Sequence, residues 1–391
     1  MRATEKNMFK RLKYKAGVVR TDHRHSNPSA LSRLLYAASR IYGGAVALRN
    51  SGFDKGVLSV RRLPCPVVSI GNITAGGTGK TPMALYMARL IRQMGYRPAV
   101  ISRGYRGKAE KAGAVVTDGY HLLADCATAG DEPFMMASVL KGVPVLVGRN
   151  RFQSSMRAVA AFDSDVIILD DAFQHRRLHR DLDLVLLDAA HPLGNGHVLP
   201  RGSLREPASG LKRADAVILT RSQSREARES LPQKISGHVP VFRADHVPFL
   251  SGIYGQADFL EEKGISDHGD PGDLSFLGAV RVFAFSGIAR NQEFLNMLSG
   301  YVGSLTGFAE YPDHYCYSSR DLGKIEQKAI SESADCLMTT EKDYVRIAGR
   351  LPAGLPLVVM GVEMRFLNND EFGFVALLRR KLLEIKVETR S

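Results

Sequence analysis

Apolar residues along this chain follow two periods, and each period predicts a different kind of element. From Pro28 onward, apolar side chains recur with helical spacing, which predicts an amphipathic helix over residues 28–50. Farther along, short continuous runs rich in β-branched residues are typical of strands buried on both faces. These predicted strands cover residues 67–70, 97–101, 143–147, 165–169, 182–187 and 216–219.

Segments of helical character separate those strands, and the alternation predicts a parallel sheet with helices on both faces. The alternation stops over residues 246–277, where glycine, proline and charged residues dominate, so this segment is predicted to be a linker. Strands are predicted again at 280–285, 336–339 and 357–360, with a last helix over 371–385. The predicted division is a basic tail (1–27), an N-terminal α/β domain (28–245), the linker, and a smaller C-terminal α/β lobe (278–391).

The first strand leads into a glycine-rich segment, TAGGTGKT, and then into a helix, which is the context of a phosphate-binding loop. Glycines let backbone N–H groups turn onto phosphate oxygens, and the helix N-terminus adds its dipole. Lys80 is predicted to reach the β- and γ-phosphates of ATP, and the Thr81 hydroxyl to bind Mg²⁺. The predicted nucleotide-binding residues are Thr74, Ala75, Gly76, Gly77, Thr78, Gly79, Lys80 and Thr81.

One residue departs from the usual G-x-x-x-x-G-K-[ST] pattern, because Thr74 stands where the first glycine is expected. An ordinary glycine-rich turn is therefore the alternative to a phosphate loop. With the flanking strand and helix in place, the sequence favours a P-loop NTPase-like α/β fold.

Two aspartates end the strand in VIILDDAFQH, an arrangement in which a buried strand presents a carboxylate to Mg²⁺. Asp170 or Asp171 could fill that role, and capping of the next helix is the alternative. Gln174 and His175 follow one turn later and are predicted to point into the same cleft. Asp131 and Glu132 begin another predicted helix, where they either place two carboxylates near the metal and the acceptor or only cap the helix. The predicted metal-binding set is Thr81, Glu132, Asp170, Asp171 and Gln174.

Charged residues also follow other predicted strands, where ligands of parallel sheets bind. Arg103 and Arg149 come at two strand ends, and Arg205 and Glu206 lie in the loop LPRGSLREP. Paired arginines on a loop favour anion binding, and a solvated loop is the alternative. The predicted substrate-binding residues are Arg103, Arg149, His175, Arg205 and Glu206.

The net charge of +13 favours an anionic partner, which would be nucleic acid, an anionic membrane or a phosphorylated substrate. Much of this charge precedes the predicted amphipathic helix, which indicates a membrane-surface element. Packing of that helix on the protein's own core is the alternative. No nucleic-acid-binding signature is present, so no nucleic-acid partner is predicted.

Several classes of protein are disfavoured by the sequence. No run of 18 apolar residues exists, and the N-terminus lacks the apolar stretch of a secretory signal. The four cysteines are scattered, which is typical of a reducing cytoplasm without disulfides or zinc. The segment TTEKD resembles a guanine-specificity motif only loosely, which counts against a GTPase.

Taken together, seven motifs resemble in order those of the tetraacyldisaccharide 4′-kinases, the lipid A kinases of Gram-negative bacteria. The resemblance runs from about residue 28 to 360, and that family's own loop shares the departure at Thr74. The motifs are GNITAGGTGKTP, SRGYRG, GDEP, LDDAFQH, LPRGSLREP, PDHYCYS and TEKDYV.

The resemblance implies transfer of the ATP γ-phosphate to the 4′-hydroxyl of a phosphorylated, tetraacylated glucosamine disaccharide. It implies a peripheral enzyme on the cytoplasmic face of the inner membrane, facing an anionic lipid surface, with no obligate protein partner. It also implies that Asp131 and His314 form a catalytic pair and that Glu132 serves the metal. From the residues alone, a membrane-associated P-loop ATPase switch and a nucleic-acid-binding module stay as alternatives.

Overall fold

The 391-residue chain is described from a computed structural model, which covers residues 30–222, 239–255, 274–350 and 354–388. The predicted basic tail, residues 1–27, lies outside these ranges. The strands are β1 Val67–Gly71, β2 Pro98–Ser102, β3 Ala114–Thr117, β4 Val145–Val147, β5 Val166–Asp170, β6 Leu182–Asp188, β7 Ala216–Thr220, β8 Val241–Tyr254, β9 Arg281–Ser286, β10 Ser304–Glu310, β11 Cys336–Thr340 and β12 Leu357–Phe366.

The helices lie between these strands and at the two ends of the described chain. They are α1 Ala30–Asp54, α2 Lys80–Gln93, α3 Cys126–Ala129, α4 Asp131–Val139, α5 Arg151–Phe162, α6 Asn291–Leu298, α7 Ser319–Ser331, α8 Glu341–Ile347 and α9 Asp370–Glu388. Helix α1 confirms the predicted N-terminal helix and extends four residues beyond its predicted end at residue 50.

All the described strands form one sheet, in the order β10-β9-β11-β12-β8-β7-β6-β1-β5-β2-β4-β3. Neighbouring strands are parallel except at β8–β12 and β3–β4, which confirms the predicted parallel-dominated α/β fold. Strand β1 lies between β5 and β6, and Ile70 is in register with Asp170. The phosphate-loop segment and the predicted metal aspartates therefore emerge side by side.

Strand β8 corrects the predicted linker over 246–277, because residues 246–254 are part of this 14-residue strand. Its start pairs with β7, and its remainder pairs with β12 from Ala244 to Tyr254. Pro248 and Gly252 are turn signals locally, but the backbone partners supplied by β12 decide the conformation. Strand β8 thus joins the N-terminal half (β1–β7) to the C-terminal half (β9–β12).

Helix α9 lies in the predicted C-terminal lobe but packs on residues of the N-terminal half. Phe374, Leu378 and Leu382 are fully buried in the core cluster that contains Ile168 and Leu184 of the N-terminal half. The predicted assignment of residues 278–391 to one C-terminal lobe stays a prediction, and α9 shares its core with residues of the N-terminal half. Phe374 packs against Tyr86 of α2, Phe242 of β8 and Phe366 of β12, and this packing has no local sequence signal.

Candidate active site

The phosphate-loop segment turns from β1 into α2 through glycines in conformations that other residues rarely adopt. Gly76 has φ 129° and Gly79, at the N-cap of α2, has φ 85°. The Asn72 amide donates to Thr78 Oγ1 at 3.0 Å and closes the loop on itself. A Cβ atom at Gly79 would overlap His246 Nε2. The segment therefore has the form of a backbone anion cradle at a helix N-terminus.

Thr74 is compatible with this loop although the usual pattern has glycine there. Its backbone is not among the positive-φ residues, so a β-branched side chain meets no strain. Thr74 forms a β-bridge with Leu204, and the Ala75 N–H donates to the Ser203 carbonyl at 2.7 Å. The loop LPRGSLREP thus covers the start of the phosphate loop.

Lys80, the first residue of α2, lies against the aspartate that follows β5. Its Nζ is 3.7 Å from Asp171 Oδ1, and Arg205 donates to both Asp171 oxygens at 2.8 and 3.1 Å. Burial alone would raise the pKa of Asp171, but the charges of Lys80 and Arg205 outweigh it and lower that pKa. Asp171 is therefore ionised and holds Lys80 at the phosphate loop.

Asp170, one residue earlier, has the opposite electrostatic environment. It is 2% exposed, and its Oδ2 accepts a hydrogen bond from Ser102 Oγ at 3.1 Å. Burial first, and then the charges of Glu132 and Asp171, raise its pKa to about 6. Its Oδ1 is buried with no hydrogen-bond partner among the described residues. A buried carboxylate oxygen without a partner fits a hard cation such as Mg²⁺.

Asp131 begins α4 and meets His314 of the C-terminal half, although 183 residues separate them. His314 Nδ1 lies 2.8 Å from Asp131 Oδ2, and Arg346 Nε donates to the same oxygen at 2.7 Å. Burial raises the pKa of Asp131, but the contacts with His314 and Arg346 outweigh it and hold that pKa well below its usual range. Asp131 is therefore ionised and in contact with His314, and the catalytic role of the pair stays a prediction.

The neighbouring carboxylate, Glu132, also contacts the C-terminal half. Lys342 Nζ lies 3.0 Å from Glu132 Oε1 and 3.5 Å from Asp313 Oδ1. Two successive acidic residues of α4 are thus paired with separate cations of one partner helix, α8. These pairs fix the orientation of α4 toward the C-terminal half.

These side chains line one cleft of about 2110 Å³. Its lining from the N-terminal half includes residues 76–81, Asp131, Glu132, Asp170 and Asp171. His314 and Lys342 line it from the C-terminal half, and Tyr42, Val46 and Arg49 line it from α1. Carboxyl ends of strands from both halves meet here, as expected for a ligand site in an α/β sheet.

The family model for tetraacyldisaccharide-1-P 4′-kinase, LpxK, matches residues 31–382. The chain belongs to this kinase family. A tetraacyldisaccharide 4′-kinase of Syntrophus aciditrophicus is 40% identical over 361 residues, covering 89% of this chain and 93% of the relative. One of Desulfatibacillum aliphaticivorans is 41% identical over 351 residues, covering 88% of this chain and 92% of the relative.

A solved structure of the same family is also similar. It is the crystal structure of LpxK from Aquifex aeolicus in complex with ATP, with a TM-score of 0.71 and 29% identity. The similarity covers 90% of this chain and 99% of that chain.

Within this tetraacyldisaccharide-1-P 4′-kinase fold, most of the predicted substrate-binding residues line the cleft. They are Arg103, Arg149, His175 and Arg205. Arg103 is paired with Glu110 at 2.7 Å. Burial first, and then nearby arginines, lower the pKa of His175 to about 4, so its imidazole is neutral at pH 7.

Glu206 contradicts the prediction that it binds substrate. It is 1% exposed, and its Oε2 accepts from Arg213 at 2.8 Å and from Asn50 of α1 at 3.2 Å. Gln174 donates to its other oxygen at 2.9 Å. In this kinase Glu206 is a buried acceptor that joins α1 to neighbouring loops, because its three donors are Asn50 of α1, Gln174 and Arg213. The prediction that Gln174 binds metal stays a prediction.

The sequence alone assigned no role to two residues of α8 that contact carboxylates of the site, Arg346 and Lys342. Arg346 is 5% exposed at its side chain and reaches Asp131, and Lys342 reaches Glu132. Both lie in or directly after the motif TEKDYV, so the motif pointed to this helix without indicating its partners. Spacing along the sequence does not reveal these contacts, because Arg346 and Lys342 are 215 and 210 residues away from the carboxylates that they contact.

Proposed function

We propose that this protein transfers the γ-phosphoryl group of ATP to the 4′-hydroxyl of a tetraacylated glucosamine disaccharide 1-phosphate, a step of lipid A biosynthesis. Family membership supports the reaction class. The observation that carries the proposal is the 2.8 Å contact between Asp131 and His314 in the cleft lined by the phosphate loop. A carboxylate–histidine pair next to a phosphate loop suits proton removal from an acceptor hydroxyl.

The residues present fit magnesium and ATP. Residues 74–81 would hold the triphosphate, with Lys80 at the β- and γ-phosphates. The proposed Mg²⁺ ligands are the Thr81 hydroxyl, Glu132 and a carboxylate of Asp170 or Asp171. The unpartnered Asp170 Oδ1 supports this set, because Mg²⁺ prefers hard oxygen donors. When bound, Mg²⁺ would neutralise charge on the transferring phosphoryl group.

Asp131 would accept the proton of the acceptor hydroxyl. Its low pKa makes it a weak base, so the proton would move late, once the hydroxyl oxygen is bonding to phosphorus. Because the transition state of phosphoryl transfer is loose, proton removal by the base contributes little to the rate, and positioning of the reacting groups contributes more. His314 and Arg346 would supply that positioning, since both contact the same carboxylate oxygen.

The acceptor is anionic, and arginines of the cleft are proposed to bind it. Arg103 and Arg149 line the same cleft as the phosphate loop, and Arg205 lies beside Asp171. Neutral His175 is proposed to hydrogen-bond the sugar. Arginine suits phosphate because its planar fork makes two parallel hydrogen bonds.

Because the proposed acceptor is a lipid, the enzyme is expected to act at a membrane surface. None of the described helices is long and apolar enough to cross a bilayer. On α1, Leu34, Ile41 and Leu48 are 67%, 76% and 77% exposed. Exposed apolar residues between arginines suit insertion at the headgroup level of an anionic leaflet. We propose peripheral binding of the cytoplasmic face of the inner membrane through α1.

The deciding experiment offers γ-labelled ATP to the purified protein with synthetic tetraacyldisaccharide 1-phosphate in mixed micelles. A kinase places the label on the lipid, with an unacylated disaccharide phosphate as the matched control. Release of free phosphate without lipid labelling would instead favour an ATPase switch. Salt-dependent DNA binding that lipid leaves unchanged would favour the nucleic-acid-binding alternative.

A further inference from the structure

Four charged side chains meet where the two halves of the protein approach the phosphate loop. Arg290 precedes α6 in the C-terminal half, and its Nη1 donates to Asp188 Oδ2 at 2.8 Å and to Glu293. Arg221 follows β7 and donates to the same Asp188 oxygen at 2.9 Å. Its Nη2 lies 3.0 Å from Glu293 Oε2. Two guanidinium groups therefore share two carboxylates, and their charges balance.

This cluster lies directly against the phosphate loop. Arg221 Nη2 donates to the Gly77 carbonyl at 3.1 Å. A Cβ atom built at Gly76 would lie 3.8 Å from Arg290 Nη2, the nearest neighbouring atom. The Arg290 hydrogen bonds given above use Nη1, so Nη2 is the part of the guanidinium beside the loop. Arg290 is also a lining residue of the active-site cleft.

The position of Arg290 differs from that of the other paired cations of the cleft. Arg346 and Lys342 contact the carboxylates of α4, which are the proposed base and metal ligand. Arg205 contacts Asp171. Arg290 and Arg221 instead approach the loop itself, and of these two Arg290 comes from the half of the protein that does not contain the loop.

Phosphoryl transfer builds negative charge on the β–γ bridging oxygen and on the oxygens of the transferred group. P-loop enzymes commonly neutralise it with an arginine supplied in cis or by a partner. We propose that Arg290 is such an arginine, supplied in cis by the C-terminal half. Its guanidinium would pair with the β–γ bridging oxygen and with the oxygens of the transferred group as negative charge grows there. This inference rests on the proposed phosphotransfer.

In the reaction, the acceptor oxygen bonds to the γ-phosphorus while the bond from that phosphorus to the β–γ bridging oxygen breaks. The hydroxyl proton passes to Asp131, and ADP leaves with the electron pair of the broken bond. Arg290 forms no covalent bond and compensates the charge that grows on the bridging oxygen. Asp188 and Glu293 hold its guanidinium beside the loop, which lowers the cost of orienting it.

The test compares wild type with Arg290→Ala and Arg290→Lys in the full-length protein. The kcat of Arg290→Ala is expected to fall by about 10³-fold or more, with a much smaller change in the KM for ATP. Binding of ADP with Mg²⁺ is expected to stay near wild type. Addition of aluminium fluoride, which mimics the transferred phosphoryl group, should tighten ADP binding in wild type but not in Arg290→Ala. The lysine variant should recover part of the kcat.

Two controls separate this role from a structural contact between the halves. Arg281→Ala removes another arginine of the C-terminal half, paired with Asp335 at 3.2 Å, and should leave every readout unchanged. Glu293→Gln weakens the pairing but keeps the guanidinium, which Asp188 still holds, so this variant should lose much less kcat than Arg290→Ala. If Glu293→Gln loses as much kcat as Arg290→Ala, or if aluminium fluoride tightens ADP binding equally without Arg290, the inference is overturned. Failure of wild type to label the lipid would instead overturn the proposed function, while the ADP measurements would still test Arg290.

Discussion

At the scale of single residues, environment and not residue type sets the behaviour of the carboxylates in the cleft. Asp170 and Asp171 are adjacent in the chain, yet the pKa of Asp170 is raised and that of Asp171 is lowered. Burial opposes ionisation of both. Asp171 faces Lys80 and Arg205 at short distance, whereas Asp170 faces the further negative charge of Glu132. Adjacent aspartates are thereby given different protonation behaviour.

Lys80→Met is expected to lower kcat by roughly 10²-fold or more, because fixed charges at the phosphoryl group carry much of such catalysis. Melting temperature should change little, since the 3.7 Å contact with Asp171 is the ion pair that the substitution removes. The measurement is steady-state phosphate transfer at saturating ATP and acceptor. Turnover close to wild type would contradict the phosphate-loop assignment.

Asp170→Asn is expected to stabilise the protein at pH 7.5 in the absence of nucleotide and metal. The folded-state pKa of Asp170, about 6, lies above its ordinary value of 3.8, so the fold favours the protonated form. That stabilisation is fully present below about pH 4 and is lost as pH rises through 6. The ionised group then costs on the order of 3 kcal/mol, at 1.36 kcal/mol per pKa unit.

Thermal unfolding of both proteins from pH 4.5 to 8 measures this effect. The melting temperature of Asp170→Asn should exceed that of wild type by a growing margin up to about pH 6.5 and by a constant margin above it. The same variant should lose most phosphate transfer, because a carboxylate of this pair is a proposed metal ligand. A pH-independent difference between the two unfolding curves would contradict the raised pKa.

At the scale of elements, α1 serves the protein core and the solvent surface at once. The sequence predicted an apolar face formed by Leu31, Leu34, Leu35, Ala38, Ile41, Tyr42, Ala45 and Val46, and the structure divides it. Leu35 and Tyr42 are half-buried, and the Tyr42 hydroxyl donates to the Arg205 carbonyl at 2.8 Å. Leu34 and Ile41 are exposed. Packing on the protein's own core is therefore confirmed for part of the helix, and the membrane-surface interpretation stays a prediction for the exposed residues.

Replacing Leu34, Ile41 and Leu48 together by glutamine is expected to weaken binding to anionic vesicles. These side chains lie outside the protein core, so their full insertion would contribute roughly 1.5–3 kcal/mol each and partial insertion less. Flotation with phosphatidylglycerol-containing liposomes measures the effect. Phe372→Gln, which changes a residue 78% exposed on α9, is the control and should float like wild type.

Equal flotation of the triple variant and wild type, with unchanged melting temperature, would place membrane contact elsewhere on the protein.

Point substitutions are preferable to deletion of residues 1–48. That deletion removes Tyr42 and shortens α1 next to Asn50, whose amide donates to buried Glu206. A truncated protein would therefore combine loss of membrane contact with loss of stability.

At the scale of the whole molecule, the site is assembled from two halves that one strand joins. Strand β8 pairs with β7 on one side and β12 on the other, and α9 returns to pack on the N-terminal half. Across the cleft, the pairs Asp131–His314 and Glu132–Lys342 bring α4 to the C-terminal half. The proposed base, Asp131, therefore has its partners from the C-terminal half only when both halves are folded together.

A double-mutant cycle tests whether Asp131 and His314 act as a unit. Asp131→Ala, His314→Ala and the double variant should lose similar factors in kcat, far short of additive, because each residue works through the other. A positioned base is worth roughly 10²–10⁴-fold. Full kcat in Asp131→Ala with a lowered melting temperature would leave Asp131 a helix-capping residue, and additive losses would leave the two residues uncoupled.

The sequence by itself determined the elements that depend on neighbouring residues. Runs of β-branched residues predicted β1 and β5, and the glycines predicted the phosphate loop. Asp170 and Asp171 were predicted as site residues because they end the apolar run of β5. These signals are local, since backbone conformation responds to adjacent side chains and to periodic burial. Family motifs added the pairing of Asp131 with His314, for which no local pattern exists.

Tertiary structure alone decided what depends on contacts between distant segments. Residues 246–254 have the composition of a linker, but they are part of β8 because β12 supplies their backbone hydrogen-bond partners. Glu206 is buried because donors from α1 and from Arg213 converge on it, although its loop suggested substrate binding. The pKa difference between Asp170 and Asp171, and the approach of Arg290 to the loop, likewise arise from distant charges. Electrostatic energy and burial depend on distance in space, which spacing along the chain does not encode.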